Sequence, residues 1–375
     1  MTGDEVMNLR VQDVLDEVEK MAPPSLAMAG DVIGLQLGDV HKVVRRVRLA
    51  LEPSPTVIDS ACTDGVDLLI THHALLYRAV NRIDTSTARG KAIAQALAHG
   101  LVVYNAHTNL DIADGGVNDA LVDLLQLKDV RILDRMQNEQ LRKFVVFVPE
   151  THHEAVMQAV CDAGAGHIGN YSHCTFNMPG EGTFVPLEGT QPYIGVHGKM
   201  ERVREVRLET IVPESRVEGV VRAMLKAHPY EEVAYDLYPL EIMGKAYGIG
   251  RIGKLTRTLT LREFAELCKE RLSLTHIRFG GNMDTMVERV AVLGGSGGKW
   301  VAKAISADAD VLLTADCDHH TVAEAWQDGL AIVDATHAAL ERPVLANLKR
   351  WLDEAFPSQL EVDIATENED PFYWV

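Results

Sequence analysis

Two adjacent imidazoles, His72 and His73, close the apolar run VDLLI (66–70) in the stretch THHALLYR (71–78). Other strand-like runs end on the same kinds of group. His107 and Asp111 follow one in NAHTNLD (105–111), and Asp316, His319 and His320 follow another in LLTADCDHH (312–320). Asp334, His337 and Glu341 follow a third in DATHAALER (334–342). Neutral imidazole together with carboxylate suits zinc, iron, manganese, cobalt or nickel. Two ions about 3.5–4 Å apart need bridging carboxylates and terminal histidines. Asp111 and Glu341 can bridge, while His72, His73 and His337 can be terminal ligands. His337 and Glu341 are four residues apart, so one helical face presents both. Neighbouring strand residues point to opposite sides, but at a turn two histidines can diverge around two ions. A lone histidine at a strand end is ordinarily structural or solvated. The joint occurrence of HH, HxxxD and HxxxE, each just past an apolar strand, favours a metal centre.

The elements that must carry these groups alternate. RVRLALEP (46–53), VDLLITHH (66–73) and LVVYNAHTNLD (101–111) read as strands with their turns in the first third, and RVAVLGGSGG (289–298), DVLLTADCDHH (310–320) and LAIVDATHAALE (330–341) in the last. Helix-like GKAIAQALAHG (90–100) and KWVAKAISADA (299–309) lie between them. Such alternation predicts a layered α/β domain with mainly parallel sheets, whose ligands sit at the carboxyl ends of the strands. The two outer segments each hold three strand-plus-turn units, a loose internal duplication. The middle differs. KFVVFVPE (143–150), EVRLETIVPE (205–214) and EVAYDLYPLE (232–241) read as strands, with helix-like THHEAVMQAVCDAGA (151–165) and SRVEGVVRAMLKAHP (215–229) among them. This fits a ferredoxin-like β-α-β-β-α-β order. LKDVRILDRMQNEQ (127–140) and MGKAYGIGRIGK (243–254) read as the linkers that bracket it. The expected organisation is a discontinuous α/β domain, 1–138 plus 245–375, interrupted by an α+β insert at 139–244.

Bulk properties narrow the function classes. A chain of 375 residues exceeds what one core usually holds, so two domains are expected. A net charge of −18 makes nonspecific binding to nucleic acid or an anionic membrane unfavourable. Five cysteines without a C-x-x-C argue against a disulfide framework or zinc ribbon. The acidic, helix-like start (1–20) carries no apolar signal region and no run is long enough for a membrane span, so a reducing cytoplasm is expected.

GGSGGK (294–299) can form a tight turn or expose N–H groups to a phosphate. Lys299 reads as a solvated first-turn lysine, and Ser296 lacks the setting of a serine nucleophile. DHH (318–320) lacks the accompanying Asp motifs of the DHH phosphoesterases. His152 and His153 read as a solvated helix start, and His276 and Cys268 have no partner in the sequence.

Taken together, GDVIGLQLGD (30–39), THHALLYR, NAHTNLDIADGGVND (105–119), GGSGG, LLTADCDHH and DATHAALER resemble the NGG-one-interacting-factor-three family, whose members are named type 2 GTP cyclohydrolase I homologs or dinuclear metal centre proteins. HIGNYSHCTF (167–176) and GVHGKMERVREVRLE (195–209) resemble the PII-like insert of its longer members. The resemblance implies His72, His73, Asp111, His337 and Glu341 as ligands of two divalent metal ions, with His107 and His320 lining the site. It also implies a toroidal homohexamer. Two motifs depart from the family pattern. Asp31-Val32-Ile33-Gly34 replaces Asp-Asn before Gly-Leu-Gln, and Thr314-Ala315-Asp316 replaces Thr-Gly-Asp.

The leading expectation is a di-metal hydrolase acting on a nucleotide-like substrate, with His107 or His320 shuttling protons. The family name implies GTP, opened at the imidazole carbon between the two nitrogens with loss of formate. The metal is zinc, iron or manganese. A metal-dependent phosphoesterase and a metal-binding regulatory or scaffold protein are the rival readings.

Overall fold

The computed structural model describes residues 8–367 and 370–373. The acidic start read at 1–20 therefore begins outside the described residues, and its described part forms the amphipathic helix Val11–Met21. The chain divides into two compact units, 1–136 with 247–375, and 137–246.

Thirteen strands occur among the described residues: β1 (Gly34–Leu37), β2 (Arg46–Ala50), β3 (Leu68–Thr71), β4 (Val102–Asn105), β5 (Lys128–Pro149), β6 (Thr175–Phe184), β7 (Glu201–Pro213), β8 (Tyr235–Thr260), β9 (Arg278–Gly280), β10 (Met286–Ser296), β11 (Val311–Ala315), β12 (Ala331–Asp334) and β13 (Glu361–Ile364). The fold is mixed α/β with two sheets.

In the larger unit one sheet has the order β1-β4-β3-β2-β13, parallel except for β1. The other runs β8-β10-β11-β12-β9, with parallel pairs β10·β11 and β11·β12 and antiparallel outer strands. Strand alternation explains the layers. Leu68, Ile70, Val102 and Tyr104 enter one core together with Ala291, Leu293, Leu312 and Ile332 of the second sheet. Their neighbours Leu69 and Val103 enter a separate core against the helices Pro55–Thr63 and Ala88–His99. Val290, Val292, Val311 and Leu313 pack on the opposite face of the second sheet with Phe264. Both faces are buried, which is why these strands read as continuous apolar runs.

The smaller unit follows the order strand, helix, strand, strand, helix, strand. Phe144, Val146, Val148 and Leu208 pack on Val156, Val160, Val220 and Met224 of its helices His153–Asp162 and Val217–Ala227.

The segments expected to be linkers are strand instead. Residues 128–140 make up the whole first half of β5, and 243–254 lie within β8. The polarity of β5 and the glycines of β8 mimic loop composition. Gly248 is required by close approach between strands, since a Cβ there would lie 2.0 Å from the Asp134 carbonyl oxygen. No helix among the described residues is long and apolar enough to cross a membrane.

Candidate metal centre

The site lies at the carboxyl ends of β3, β4 and β12. His72 and His73 leave β3, and the buried Asn105 at the end of β4 donates to the His72 carbonyl at 2.6 Å. His107 precedes the short helix Thr108–Ile112, which carries Asp111. Buried Asn118 donates to the Asp111 carbonyl at 2.9 Å and accepts from Gly294 N–H at 3.1 Å, joining this helix to the glycine-rich end of β10. Thr336 caps the helix His337–Glu341 by accepting from Ala339 N–H. That cap starts the helix where His337 and Glu341 share one face.

Each histidine of the group is held by one nitrogen. His72 Nδ1 lies 3.0 Å from the Ala106 carbonyl, and His73 Nδ1 lies 2.6 Å from Glu52 Oε1. His107 Nδ1 is 3.0 Å from Asp31 Oδ1, and His337 Nδ1 is 2.7 Å from Asp316 Oδ2. An oxygen acceptor at Nδ1 fixes the tautomer with the proton there and leaves Nε2 as a ligand atom, the arrangement common around protein-bound metals. His72 Nε2 stands 3.6 Å from both Asp111 Oδ1 and Glu341 Oε1. His73 Nε2 is 3.3 Å from Glu341 Oε2, and His337 Nε2 is 2.9 Å from Glu341 Oε1.

Three sets have ligand atoms within 4.8 Å of one another: His72, Asp111 and Glu341; His73, His337 and Glu341; His72, His73 and His107. Glu341, only 3 % exposed, belongs to two of them. Among the described residues His72 Nε2, Asp111 Oδ1 and Glu341 Oε2 are buried without a hydrogen-bond partner. An unsatisfied buried polar atom costs about 1–3 kcal/mol. A divalent cation would satisfy all three, so the donor set fits a metal.

The charge balance agrees. Burial pushes Asp111 up to about 6, against the pull of His72. Burial also opposes ionisation of Glu341, yet His72, His337 and His73 hold it well below the usual carboxylate range. Desolvation would lower His73, but Glu341 and Glu52 outweigh it and raise the imidazole to about 10. The Glu341 hydrogen bond, followed by opposing burial, leaves His337 raised to about 9. Without a metal, the buried carboxylates draw protons onto the surrounding rings.

Five of the expected residues, His72, His73, Asp111, His337 and Glu341, come together here, and His107 stands with its ring 5.1 Å from that of His72 and 5.5 Å from that of His73. His320 does not join them. Asp318 caps the helix His319–Gln327 and leaves His320 exposed against His319, with ring centroids 5.4 Å apart. Asp316 instead turns back to His337, using a left-handed backbone (φ 57°). The sequence reading missed Glu52 and the pairing of Asp31 with His107. It also left His276 without a partner. His276 and Arg278 line a cavity of about 540 Å³ that also exposes His73 and His337. The GGSGG turn serves the site by clearance. Gly295 has φ +69°, and a Cβ there would lie 2.5 Å from Glu341 Oε1 and 3.2 Å from His337 Nε2. The five cysteines are free.

Known proteins share this architecture. The profile described as Duf34/NIF3 (NGG1p interacting factor 3) matches residues 9–371. A protein of Halalkalibacterium halodurans named GTP cyclohydrolase 1 type 2 homolog is 45% identical over 97% of this chain and 98% of its own length. A Bacillus subtilis protein of the same name is 44% identical over 88% of each chain. The crystal structure of a Bacillus cereus protein related to NIF3 superposes with a TM-score of 0.91 at 42% identity, covering 98% of this chain and 100% of that one. With this match running from residue 9 to residue 371, the chain belongs to the Duf34/NIF3 family.

Proposed function

We propose that this protein is a di-metal-dependent hydrolase of a nucleotide-like substrate, with the purine ring of GTP as the first candidate. The observation that carries the reading is the sharing of buried Glu341 by two ligand sets. His72, Asp111 and Glu341 would hold one divalent ion, and His73, His337 and Glu341 the other. Ions held this way acidify water and polarise carbonyl or phosphoryl oxygens.

The chain's own residues supply the rest. Arg278, its side chain 64% exposed while it pairs with Asp334, offers a cationic donor to substrate phosphates in the adjoining cavity, and His276 lines the same cavity. His107 is held through Nδ1 by Asp31, so its Nε2 is the atom that takes a proton from the attacking water and returns it to the leaving nitrogen. Ring hydrolysis consumes two waters: the first opens the imidazole ring, and the second releases formate. The relatives' name, GTP cyclohydrolase 1 type 2 homolog, supports GTP as the compound to test first. The homohexamer and the PII-like character of the insert belong to the same proposal, and sedimentation velocity on the full chain tests the former.

The deciding experiment loads the pure protein separately with zinc, manganese and iron(II), adds GTP, and identifies products by mass spectrometry, with Glu341→Ala as control. Formate and a ring-opened triphosphate from the wild type alone support the reading. Free phosphate with an intact purine replaces it with a phosphoesterase. Unchanged GTP with every metal removes GTP as substrate and favours a regulatory metal protein.

A further inference from the structure

The smaller unit contains a cavity of about 780 Å³, lined wholly by its own residues. It stands on the face of the β6·β7·β5 sheet opposite the helices. Gly180 pairs with Glu205 across β6 and β7, and Gly182 with Val203; the floor is open at Gly180, while the Glu205 carboxylate lies over Gly182, where a Cβ would sit 2.1 Å from its Oε2. A Cβ at Gly180 would meet nothing within 4 Å. Aromatic rings make the walls. Phe184 and Tyr193 pack on Tyr230 with ring centroids 5.9 and 6.3 Å apart, and Phe147 lines the far side.

The charged groups of the lining are four glutamates and one arginine. Glu205 is half-buried, accepts from the Tyr230 hydroxyl at 3.0 Å, and makes no ion pair among the described residues. Glu181, Glu231 and Glu232 also line the cavity. The opposing cation, Arg207, is spent on Glu209 at 3.1 Å and on the face of Phe147 at 5.8 Å. A phosphate or carboxylate ligand would be repelled. A flat ring fits between the aromatic walls over the open floor at Gly180, and the Glu205 carboxylate lying over Gly182 at its edge selects N–H donors.

We infer that this cavity is a second binding site, for a planar heteroaromatic amine or amidine that presents an N–H-donating edge to Glu205 and carries no phosphate. It is separate from the histidine cluster and does not depend on the hydrolase reading.

The test is calorimetric titration of the full-length protein with 2-aminobenzimidazole, whose ring nitrogen and amine donate in parallel, and with 2-naphthoate, equally flat but anionic. Saturable binding of the amine is expected, with the naphthoate at least about tenfold weaker. Glu205→Gln should weaken the amine about tenfold, the value of a hydrogen bond to a charged acceptor. Gly180→Val should abolish binding, because its side chain enters the cavity without touching the protein and valine suits a strand. All variants should keep the wild-type metal content and melting temperature. Equal binding of amine and naphthoate, or undiminished binding by Gly180→Val, overturns the proposal. So does an absence of saturable binding in the wild type, and a changed oligomeric mass of Gly180→Val would then identify a second copy of the chain as the occupant.

Discussion

His337 Nε2 lies 2.9 Å from Glu341 Oε1, one helical turn away, while the same ring's Nδ1 lies 2.7 Å from Asp316. One imidazole thus links the buried carboxylate shared by two ligand sets to a carboxylate at the end of β11. Glu341→Ala should therefore strip the site rather than trim it. Metal content by inductively coupled plasma mass spectrometry should fall from the wild-type value to near zero after dialysis. A variant that keeps two ions per chain sinks the assignment.

Proton competition gives a second expectation. His73 and His337 are raised to about 10 and about 9 in the metal-free protein, by Glu341 with Glu52 and by Glu341 with Asp316. Both rings are protonated at neutral pH, and a ligand imidazole must be neutral. The raised values favour the protonated metal-free state, so filling the position held by His73 and His337 releases about two protons between pH 6 and 8. Apparent affinity should then rise about a hundredfold per pH unit in that window, before flattening as pH passes these pKa values. Chelator competition at three pH values measures it, and a flat profile contradicts the ligand roles of His73 and His337.

The ligand-type residues were legible because each sits directly after an apolar strand, where α/β sheets gather their ligands. Their supports were not. Glu52 to His73 spans 21 residues and Asp31 to His107 spans 76, and nothing in local patterning pairs them. His320 was placed at the site by the resemblance alone; in the structure it follows the Asp318 cap and is exposed, while Asp316 turns back to His337. The layered cores were readable from unbroken apolar runs. β5 and β8 were readable only in part: 143–150 and 232–241 read as strands, but 127–140 and 243–254 did not, since a half-exposed strand and a strand of close-approach glycines both look like linker.

Gly295→Ala isolates the clearance role of the glycine-rich turn. The added methyl would overlap Glu341 Oε1 and sit on a left-handed backbone. The backbone alone costs about 1–2 kcal/mol. Displacing Glu341 should also lower metal affinity by more than about tenfold, the lower range for a perturbed ligand shell. Thermal melting with and without added zinc separates the two effects. A variant with lowered melting temperature but wild-type metal affinity shows that the turn is merely tight.

His107 divides metal holding from proton transfer. If it moves protons, His107→Asn keeps the wild-type metal content and loses about 10²–10⁴ in kcat with little change in KM. Asp31→Asn should give a smaller loss and a shifted pH profile, because Asp31 orients the ring and accepts from the Thr108 N–H without being the group that moves the proton. Loss of one ion in His107→Asn would move this residue into the ligand set, as its nearness to His72 and His73 also permits.

Away from the site, Arg251 is 3 % exposed and makes two hydrogen bonds to Asp119, at 2.6 and 3.0 Å. It also donates to the carbonyls of Gly248 and Gly250 at 3.0 Å. Asp119 lies in the first turn of the helix Val117–Leu125 that supplies Asn118, so this pair fixes the helix that holds the Asp111 backbone. Asp119→Ala leaves a buried guanidinium with only carbonyl acceptors and Asp114, 3.7 Å away. Breaking a buried pair from one side costs about 3–5 kcal/mol, and partial exposure of Asp119 puts the expected loss near the lower end. Replacing both residues, as Arg251→Met with Asp119→Leu, removes the stranded charge and should recover most of that loss. Urea unfolding of the two variants against wild type decides it. If the double variant is no more stable than Asp119→Ala, the buried charge is not what the single substitution exposes.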